Sequence, residues 1–134
     1  MIRYILILFI FYNIDSYSQD IFAERKDFNR QDSLRGSITN ERVWWDLNYY
    51  HLDIKVDPEK KYIEGFNTVK YKVLEENQVM QIDLQEPLKI TQVLEEGEKL
   101  KFKREGNAFF IYLKKRQISG QVNEIKISYG GNPK

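Results

Sequence analysis

Cysteine is absent from this chain of 134 residues, and histidine occurs once, at His51. No disulfide can stabilise the fold, so we expect it to depend on a hydrophobic core. Zinc sites use three or four ligands, mostly including two or more histidines or cysteines, and the sequence therefore predicts no catalytic metal site of its own. A Cys-His nucleophile pair is excluded, no G-x-S-x-G motif surrounds a serine, and the phosphate-binding glycine motifs are missing. Together these absences argue against self-contained hydrolase or nucleotide chemistry.

An excess of either charge is also lacking, since 21 basic residues stand against 20 acidic ones. No field of one sign exists to attract nucleic acid or an acidic membrane surface. The longest basic run is Lys114-Lys115-Arg116, which we interpret as the solvated end of a strand. With 42% apolar and 14% aromatic residues, the composition predicts a folded domain and not a disordered chain.

The N-terminal residues have the pattern of a secretory signal. Arg3 precedes a short apolar run ending at Phe11, and Ser16-Tyr17-Ser18 offers small residues for a cut before Gln19. The run is too short for a membrane span, which needs about 20 residues. We therefore expect a signal peptide over residues 1–18 and an exported protein, periplasmic or extracellular, without a membrane span.

Residues 19–43 form a polar segment of mixed charge in which no period of 3.6 or 2 is sustained. We expect an extended lead-in that drapes over the following domain. One helical turn is predicted near its end, with Thr39 as N-cap and Glu41 in the positive first turn.

Residues 44–134 alternate between apolar and polar side chains, as strands with one buried face do. Breaks at turn residues such as Pro58 and Gly97 divide the region into strands about ten residues apart. Gly65 lies inside the second strand, where it indicates a bulge or a close backbone contact. The pattern predicts an all-β fold, an antiparallel β-sandwich of seven strands. The strands are expected from residue 46, then over residues 62–74, 79–84, 88–95, 99–103, 108–113 and 122–129.

The inner face of this sandwich is predicted from strand parity. We expect Ile54→Ala to abolish soluble folding and His51→Ala, on the wet face, to change little. The predicted inner residues are Leu52, Ile54, Val56, Val69, Tyr71, Val73, Ile82, Leu84, Ile111, Leu113, Ile125 and Ile127.

Two groups of residues admit a functional or a structural interpretation. His51 with Asp53 on one strand face could act as a general base with its orienting carboxylate, but no nucleophile accompanies them and a surface histidine is favoured. Trp44-Trp45 and Tyr49-Tyr50 could stack a sugar or anchor a partner. Packing of the chain onto the start of the sandwich is the favoured interpretation.

The acidic runs Glu75-Glu76 and Glu95-Glu96 with Glu98 are interpreted as solvated hairpin tips, because adjacent carboxylates at a tip are poorly held for glycosidase chemistry. No residue is assigned a catalytic, cofactor-binding or metal-binding role.

Four strand patterns, in this order and spacing, resemble the start of the aminopeptidase N family of zinc metallopeptidases. They are Y-x-L-x-I-x-V-D-P at residues 50–58, I-x-G-x-x-x-V-x-Y at residues 63–71, the pair of segments 80–84 and 88–90, and K-I-x-x-V-x-x-x-G-x-x-L-x-F at residues 89–102. The signal sequence and R-Q-D-S-L-R-G at residues 30–36 resemble exported bacterial members. The resemblance covers residues 30–134.

The resemblance implies a saddle-shaped, non-catalytic N-terminal β-domain that is incomplete at its C-terminal end. In that family a thermolysin-like domain follows and carries the zinc motif H-E-x-x-H and the loop G-x-M-E-N, neither of which occurs here. No family catalytic residue can be assigned to this chain, and zinc is implied only for a full-length member. Such a member would remove N-terminal residues from peptides, and its catalytic domain would be the partner of this one.

Two other hypotheses stay open on the sequence alone. One is a stand-alone secreted β-sandwich that binds a glycan or a protein, suggested by the aromatic residues between Trp44 and Tyr50. The other is a purely structural periplasmic module. Continuation of the reading frame past Lys134 into H-E-x-x-H would decide for the peptidase.

Overall fold

A computed structural model of the protein describes residues 27–134, which form two open antiparallel sheets with two short helices beside them. The predicted all-β, sandwich-like fold is confirmed. The elements in chain order are α1 (Arg30–Gly36), α2 (Asn40–Val43), β1 (Trp45–Asp57), β2 (Tyr62–Val73), β3 (Val79–Asp83), β4 (Lys89–Glu95), β5 (Glu98–Lys99), β6 (Lys101–Glu105), β7 (Ala108–Tyr112) and β8 (Val122–Gly131).

The larger sheet has the strand order β1-β2-β8-β4-β5, and the smaller one has the order β3-β7-β6. One strand predicted over residues 99–103 is two strands, because the chain crosses from the larger to the smaller sheet at Leu100. The Leu100 side chain is buried, and its backbone N–H donates to the Val93 carbonyl at 2.9 Å. A corner where a strand changes sheets is typical of a sandwich, and alternation alone does not reveal it.

The core lies between the two sheets, and most of the predicted inner face is confirmed there. Ile82 and Leu84 are only partly buried and pack at the margin of the core. The confirmed buried residues are Val69, Tyr71, Val73, Ile111, Leu113, Ile125 and Ile127.

The prediction was wrong for three residues of β1, which we call the uncovered face: Leu52, Ile54 and Val56. They are 58%, 44% and 62% exposed. Their parity is as predicted, since Leu52 lies opposite Asn67, which shares the inner face of β2 with Val69. The strands of the smaller sheet have only five residues each, whereas β1 and β2 have 13 and 12. The second layer therefore ends before it reaches these side chains.

The lead-in contains a helix, α1, where the sequence predicts an extended chain. Asn29 caps α1 by accepting from the Gln31 and Asp32 backbone N–H groups, and the Asp32 carboxylate accepts in return from the Asn29 N–H. Leu34 of this helix packs on Ala108 and Phe110. The expectation of an extended chain is therefore wrong for residues 30–36, while packing against the domain is observed.

The helical turn predicted after Thr39 is confirmed as α2, although the Thr39 hydroxyl does not cap it. The hydroxyl donates instead to Oε1 of Gln81, at 2.9 Å. The predicted signal peptide and residues 19–26 lie outside the described residues. Neither helix of the described part is long and apolar enough to cross a membrane.

Gly65 marks a close approach of two backbones and not a bulge. A Cβ atom at this position would lie 2.0 Å from the Asp53 carbonyl oxygen of β1. The register of β1 with β2 is continuous there, and its irregularity lies between Leu47 and Tyr49. Glycine is thus required for β1 to pair closely with β2.

Candidate functional site

The tryptophans of the aromatic cluster belong to the core, as the favoured interpretation predicted. Trp44 is 1% exposed, and its indole N–H donates to the Val79 carbonyl at 2.8 Å. The Trp45 indole N–H donates to the Glu41 carbonyl, and both rings meet Tyr71 edge-on with centroids about 6 Å apart. With both indoles engaged in this way, a sugar-stacking platform could draw only on Tyr49 and Tyr50, which are exposed.

His51 and Asp53 share the outer face of β1, as parity predicted, and both are exposed. The imidazole lies parallel to the Phe66 ring with centroids 6.2 Å apart, and Lys126 Nζ lies 3.4 Å from the same ring centroid. No hydrogen bond joins His51 to Asp53 in the part of the chain that the structure describes. The arrangement is that of a packed surface histidine, and it does not form a catalytic dyad.

Among residues 27–134, no group of three or more histidine, aspartate or glutamate side chains is arranged to hold a metal ion. The single histidine stacks on a phenylalanine and has no further histidine to join it. The described residues therefore do not fit a catalytic zinc ion, which needs three protein ligands around an open position.

Of the acidic residues assigned to hairpin tips, Glu95 was misinterpreted. Its side chain is buried, and its carboxylate accepts from the backbone N–H groups of Lys114 and Lys115 at 3.3 and 3.4 Å. A carboxylate between two strands can be buried at low cost only when such donors satisfy it. Glu75, Glu76, Glu96 and Glu98 are exposed as expected.

The basic run Lys114-Lys115-Arg116 follows β7 and is exposed, and glutamates of the hairpin tips neutralise its charge. Lys114 binds Glu98 at 2.8 Å, Lys115 binds Glu96, and Arg116 binds Glu76 at 2.9 Å. The contact with Lys114 holds the pKa of Glu98 below its usual value. The prediction of a solvated strand end is confirmed, and its charge is compensated within the domain.

A buried polar network joins Glu95 to the core through Gln117. The Gln117 side-chain oxygen accepts from the Tyr71 hydroxyl at 3.0 Å and from Asn123 Nδ2 at 2.7 Å, and its Nε2 donates to Glu95 at 3.4 Å. Burial, with the Glu95 charge nearby, raises the pKa of Tyr71, so the phenol stays protonated and donates. The network fixes the loop after β7, and its role is structural.

A cleft of about 210 Å³ opens where the smaller sheet ends, beside the uncovered face. We call it the Asn67 cleft. Its walls are mainly apolar, with Leu52, Ile90 and Ile127 on the larger sheet and Ile82 and Leu84 at the end of the smaller one.

The polar atoms of the Asn67 cleft are few. The Asn67 side-chain oxygen is buried and has no hydrogen-bond partner in the described part of the chain. Although Tyr50 is exposed as a whole residue, its ring and that of Tyr129 line the cleft. Partial burial there raises the pKa of both phenols, with the nearby Asp83 charge contributing at Tyr50, and both are neutral at pH 7. Asp83 itself is paired with Arg42. Such a cleft can hold an apolar group and one hydrogen-bond donor, and it offers no nucleophile activated by a base.

The described residues thus form a two-layer β-domain whose uncovered face lies exposed beside the Asn67 cleft. No protein-family model matches the chain, and no curated protein matches it. Solved structures do match. An M1 zinc metallopeptidase from Deinococcus radiodurans matches with a TM-score of 0.62 and 16% identity, over 70% of this chain and 22% of that chain.

Leukotriene A4 hydrolase from Saccharomyces cerevisiae matches with a TM-score of 0.56 and 21% identity, over 67% of this chain and 15% of that chain. The resemblance found in the sequence is therefore confirmed at the level of the fold. The chain matches less than a quarter of the length of either solved structure.

Proposed function

We propose that this chain is the non-catalytic N-terminal scaffold of an aminopeptidase N-like zinc metallopeptidase, which in full-length form removes N-terminal residues from peptides. The observation that carries the proposal is the fold match to M1 zinc metallopeptidases over 70% of this chain. Zinc and the peptide substrate would belong to the catalytic domain of the full-length protein. That domain would be the partner of the present one.

The uncovered face supports a scaffold role. Leu52, Ile54 and Val56 lie on the inner side of the larger sheet and are exposed only because the smaller sheet is short. Exposed apolar surface beside a cleft is typical of a site where another protein surface packs. In the proposed arrangement, a further part of the full-length protein covers these side chains and fills the Asn67 cleft, where it donates to the Asn67 oxygen.

The small number of metal-binding residues supports the proposal that this chain is non-catalytic. H-E-x-x-H needs two histidines, and the sequence has one. Activation of water by zinc needs a ligand set that residues 27–134 do not provide.

The decisive experiment is to sequence the transcript past the codon for Lys134. We expect the reading frame to continue into H-E-x-x-H and G-x-M-E-N, and a stop codon with no such domain would overturn the proposal. In parallel, the purified chain is assayed with aminoacyl arylamides and added zinc. We expect no turnover, and turnover abolished by a chelator would show that the scaffold assignment is wrong.

We further propose that the protein is exported, on the strength of Arg3, the apolar run and Ser16-Tyr17-Ser18. Mass spectrometry of the protein isolated from its cells should show a chain that begins at Gln19. An intact N-terminal methionine in the cytoplasmic fraction would contradict export.

The alternative, a stand-alone module that binds a glycan or a protein, loses its strongest support because Trp44 is buried and the Trp45 indole is hydrogen-bonded. Glycan-array binding that is lost in Tyr49→Ala would revive it.

A further inference from the structure

β1 is the outermost strand of the larger sheet, and its free edge is long. The strand has 13 residues and contains no proline, and its only irregularity lies between Leu47 and Tyr49. Residues 50–57 are therefore regular, and in the described part of the chain no strand pairs with their outer edge. An exposed edge of this kind is a template for pairing with another strand.

Residues 51–57 read H-L-D-I-K-V-D, a pattern that is complementary to itself when reversed. In an antiparallel pair centred on Ile54, each Ile54 faces its own copy and Leu52 faces Val56. Asp53 then faces Lys55, and His51 faces Asp57. Directly opposed residues of an antiparallel pair point to the same face, and opposite charges or apolar side chains in those positions are favourable.

The faces of β1 fit this register as well. The three apolar residues of the uncovered face point inward, whereas His51, Asp53 and Lys55 lie on the outer side with Thr68, Phe66 and Glu64 of β2 opposite them. Pairing centred on Ile54 therefore keeps both the apolar row and the charged row continuous across the new junction. A pairing centred on Asp53 would set Asp53 against its own copy, and one centred on Lys55 would do the same for Lys55, so like charges would meet. A pairing in which residue 53 faces residue 54 would place apolar and charged side chains on the same face.

From this self-complementarity we infer that β1 is an interface for a second copy of this chain, which joins the two larger sheets edge to edge about a twofold axis at Ile54. This goes beyond the proposed scaffold function. The interface is isologous, because the same patch serves both copies. A pair of seven-residue segments buries less area than a standard protein interface. The dimer should therefore be weak, and its fraction should rise with protein concentration.

The chain contains no cysteine, so single cysteines report the register without background. In the pairing centred on Ile54, Ile54→Cys places two thiols directly opposite each other, and mild oxidation of the full chain should give a covalent dimer. Leu52→Cys alone and Val56→Cys alone should form no covalent dimer, because in each case the opposing position of the second copy carries no thiol. An equal mixture of those two variants should cross-link. All three positions are exposed, so the substitutions leave the core intact.

A charge swap tests the same register without cysteine. Asp53 lies opposite Phe66 inside its own chain and forms no ion pair in the described part, so Asp53→Lys breaks no internal salt bridge. Across the interface, however, the substitution sets a lysine against Lys55 of the second copy. Light scattering over a concentration series should show that the dimer of the unchanged chain is lost in Asp53→Lys. It should be restored in Asp53→Lys/Lys55→Asp/Glu64→Lys, where the third substitution keeps an opposite charge beside position 55 within the chain.

The proposal is overturned if the unchanged chain stays monomeric at every concentration. It is also overturned if the three cysteine variants cross-link equally, or if Asp53→Lys dimerises as well as the unchanged chain. Cross-linking confined to Ile54→Cys and to the mixed variants supports it.

Discussion

The two halves of the β1–β2 hairpin carry the same alternation of apolar and polar residues but differ in what covers them. In the second half of β2, Val69, Tyr71 and Val73 are fully buried beneath the smaller sheet. In the second half of β1, Leu52, Ile54 and Val56 lie on the same inner side and are about half exposed or more. Alternation therefore defines the two faces of a strand, whereas a second layer decides which part of a face is buried.

The largest effect is expected when an isoleucine is truncated in the covered part of the larger sheet, next to Val69, and in the uncovered part. Ile125 of β8 is 1% exposed and Ile54 is 44% exposed. We expect Ile125→Ala to lower the free energy of unfolding by about 2–5 kcal/mol, since it opens a cavity in the core. Ile54→Ala should cost about 1 kcal/mol or less, as surface substitutions do. Urea unfolding of both variants measures the difference, and equal losses would show that the uncovered face is buried in solution.

This expectation replaces the one drawn from the sequence, that Ile54→Ala abolishes folding. Stabilities of whole domains are about 5–15 kcal/mol, so a loss near the upper end for Ile125→Ala would unfold a marginal chain. The variant Ile125→Val then keeps the test readable, with an expected loss of about 0.5–1.5 kcal/mol.

The covered half can be probed again through its polar network. Gln117→Leu should lower the free energy of unfolding by about 1–3 kcal/mol, because the Tyr71 hydroxyl and the Glu95 carboxylate each lose a buried partner. Gln121→Leu is the matched control, since Gln121 is exposed. If thermal melts show the same small effect for both variants, the network does not stabilise the loop after β7.

The uncovered half can be tested at the one glycine that its geometry requires. A Cβ at position 65 would collide with the Asp53 carbonyl, so Gly65→Ala should push β1 away from β2 at a cost of about 1–3 kcal/mol. Relative to the unchanged chain, Gly65→Ala should speed hydrogen exchange at the amides of residues 52–56 more than at those of residues 69–73. Gly36→Ala serves as the control, because nothing lies within 4 Å of a Cβ there. Unchanged exchange in Gly65→Ala would contradict the close approach.

The smallest expected effect concerns the contact between α1 and β6, the edge strand of the smaller sheet that covers this half. Arg30 donates to Glu105 through Nη2 at 3.0 Å, and this contact holds the pKa of Glu105 below its ordinary value of 4.5. A lowered carboxylate pKa stabilises the folded state above the ordinary value, and the contribution is lost as the pH falls through the lowered one.

Both side chains of this pair reach solvent, so the gain in stability is small and the titration is the sharper readout. NMR titration of Glu105 should therefore show a midpoint that rises toward 4.5 in Arg30→Gln. An unchanged midpoint would mean that the ion pair does not form in solution.

Local signals in the sequence were enough to predict most of the strands. The turn at Pro58 and the alternation over residues 62–73 follow from backbone restrictions and side-chain character that act within a few residues. Helix α1 carried a local signal too, since Asn29 and Asp32 have the spacing of a capping box. Periodicity does not reveal this helix, because seven residues with one buried leucine show no helical period.

Burial on β1 and at Glu95 could not be derived in the same way. Glu95 looks like a tip residue in the sequence, and only the loop after β7 brings the Lys114 and Lys115 amides to its carboxylate. The sequence by itself determined which residues form strands and which face each side chain takes, because the period of a strand is a property of its backbone. The tertiary structure alone decided that the smaller sheet stops short of Leu52, Ile54 and Val56, because coverage depends on a layer built from distant residues.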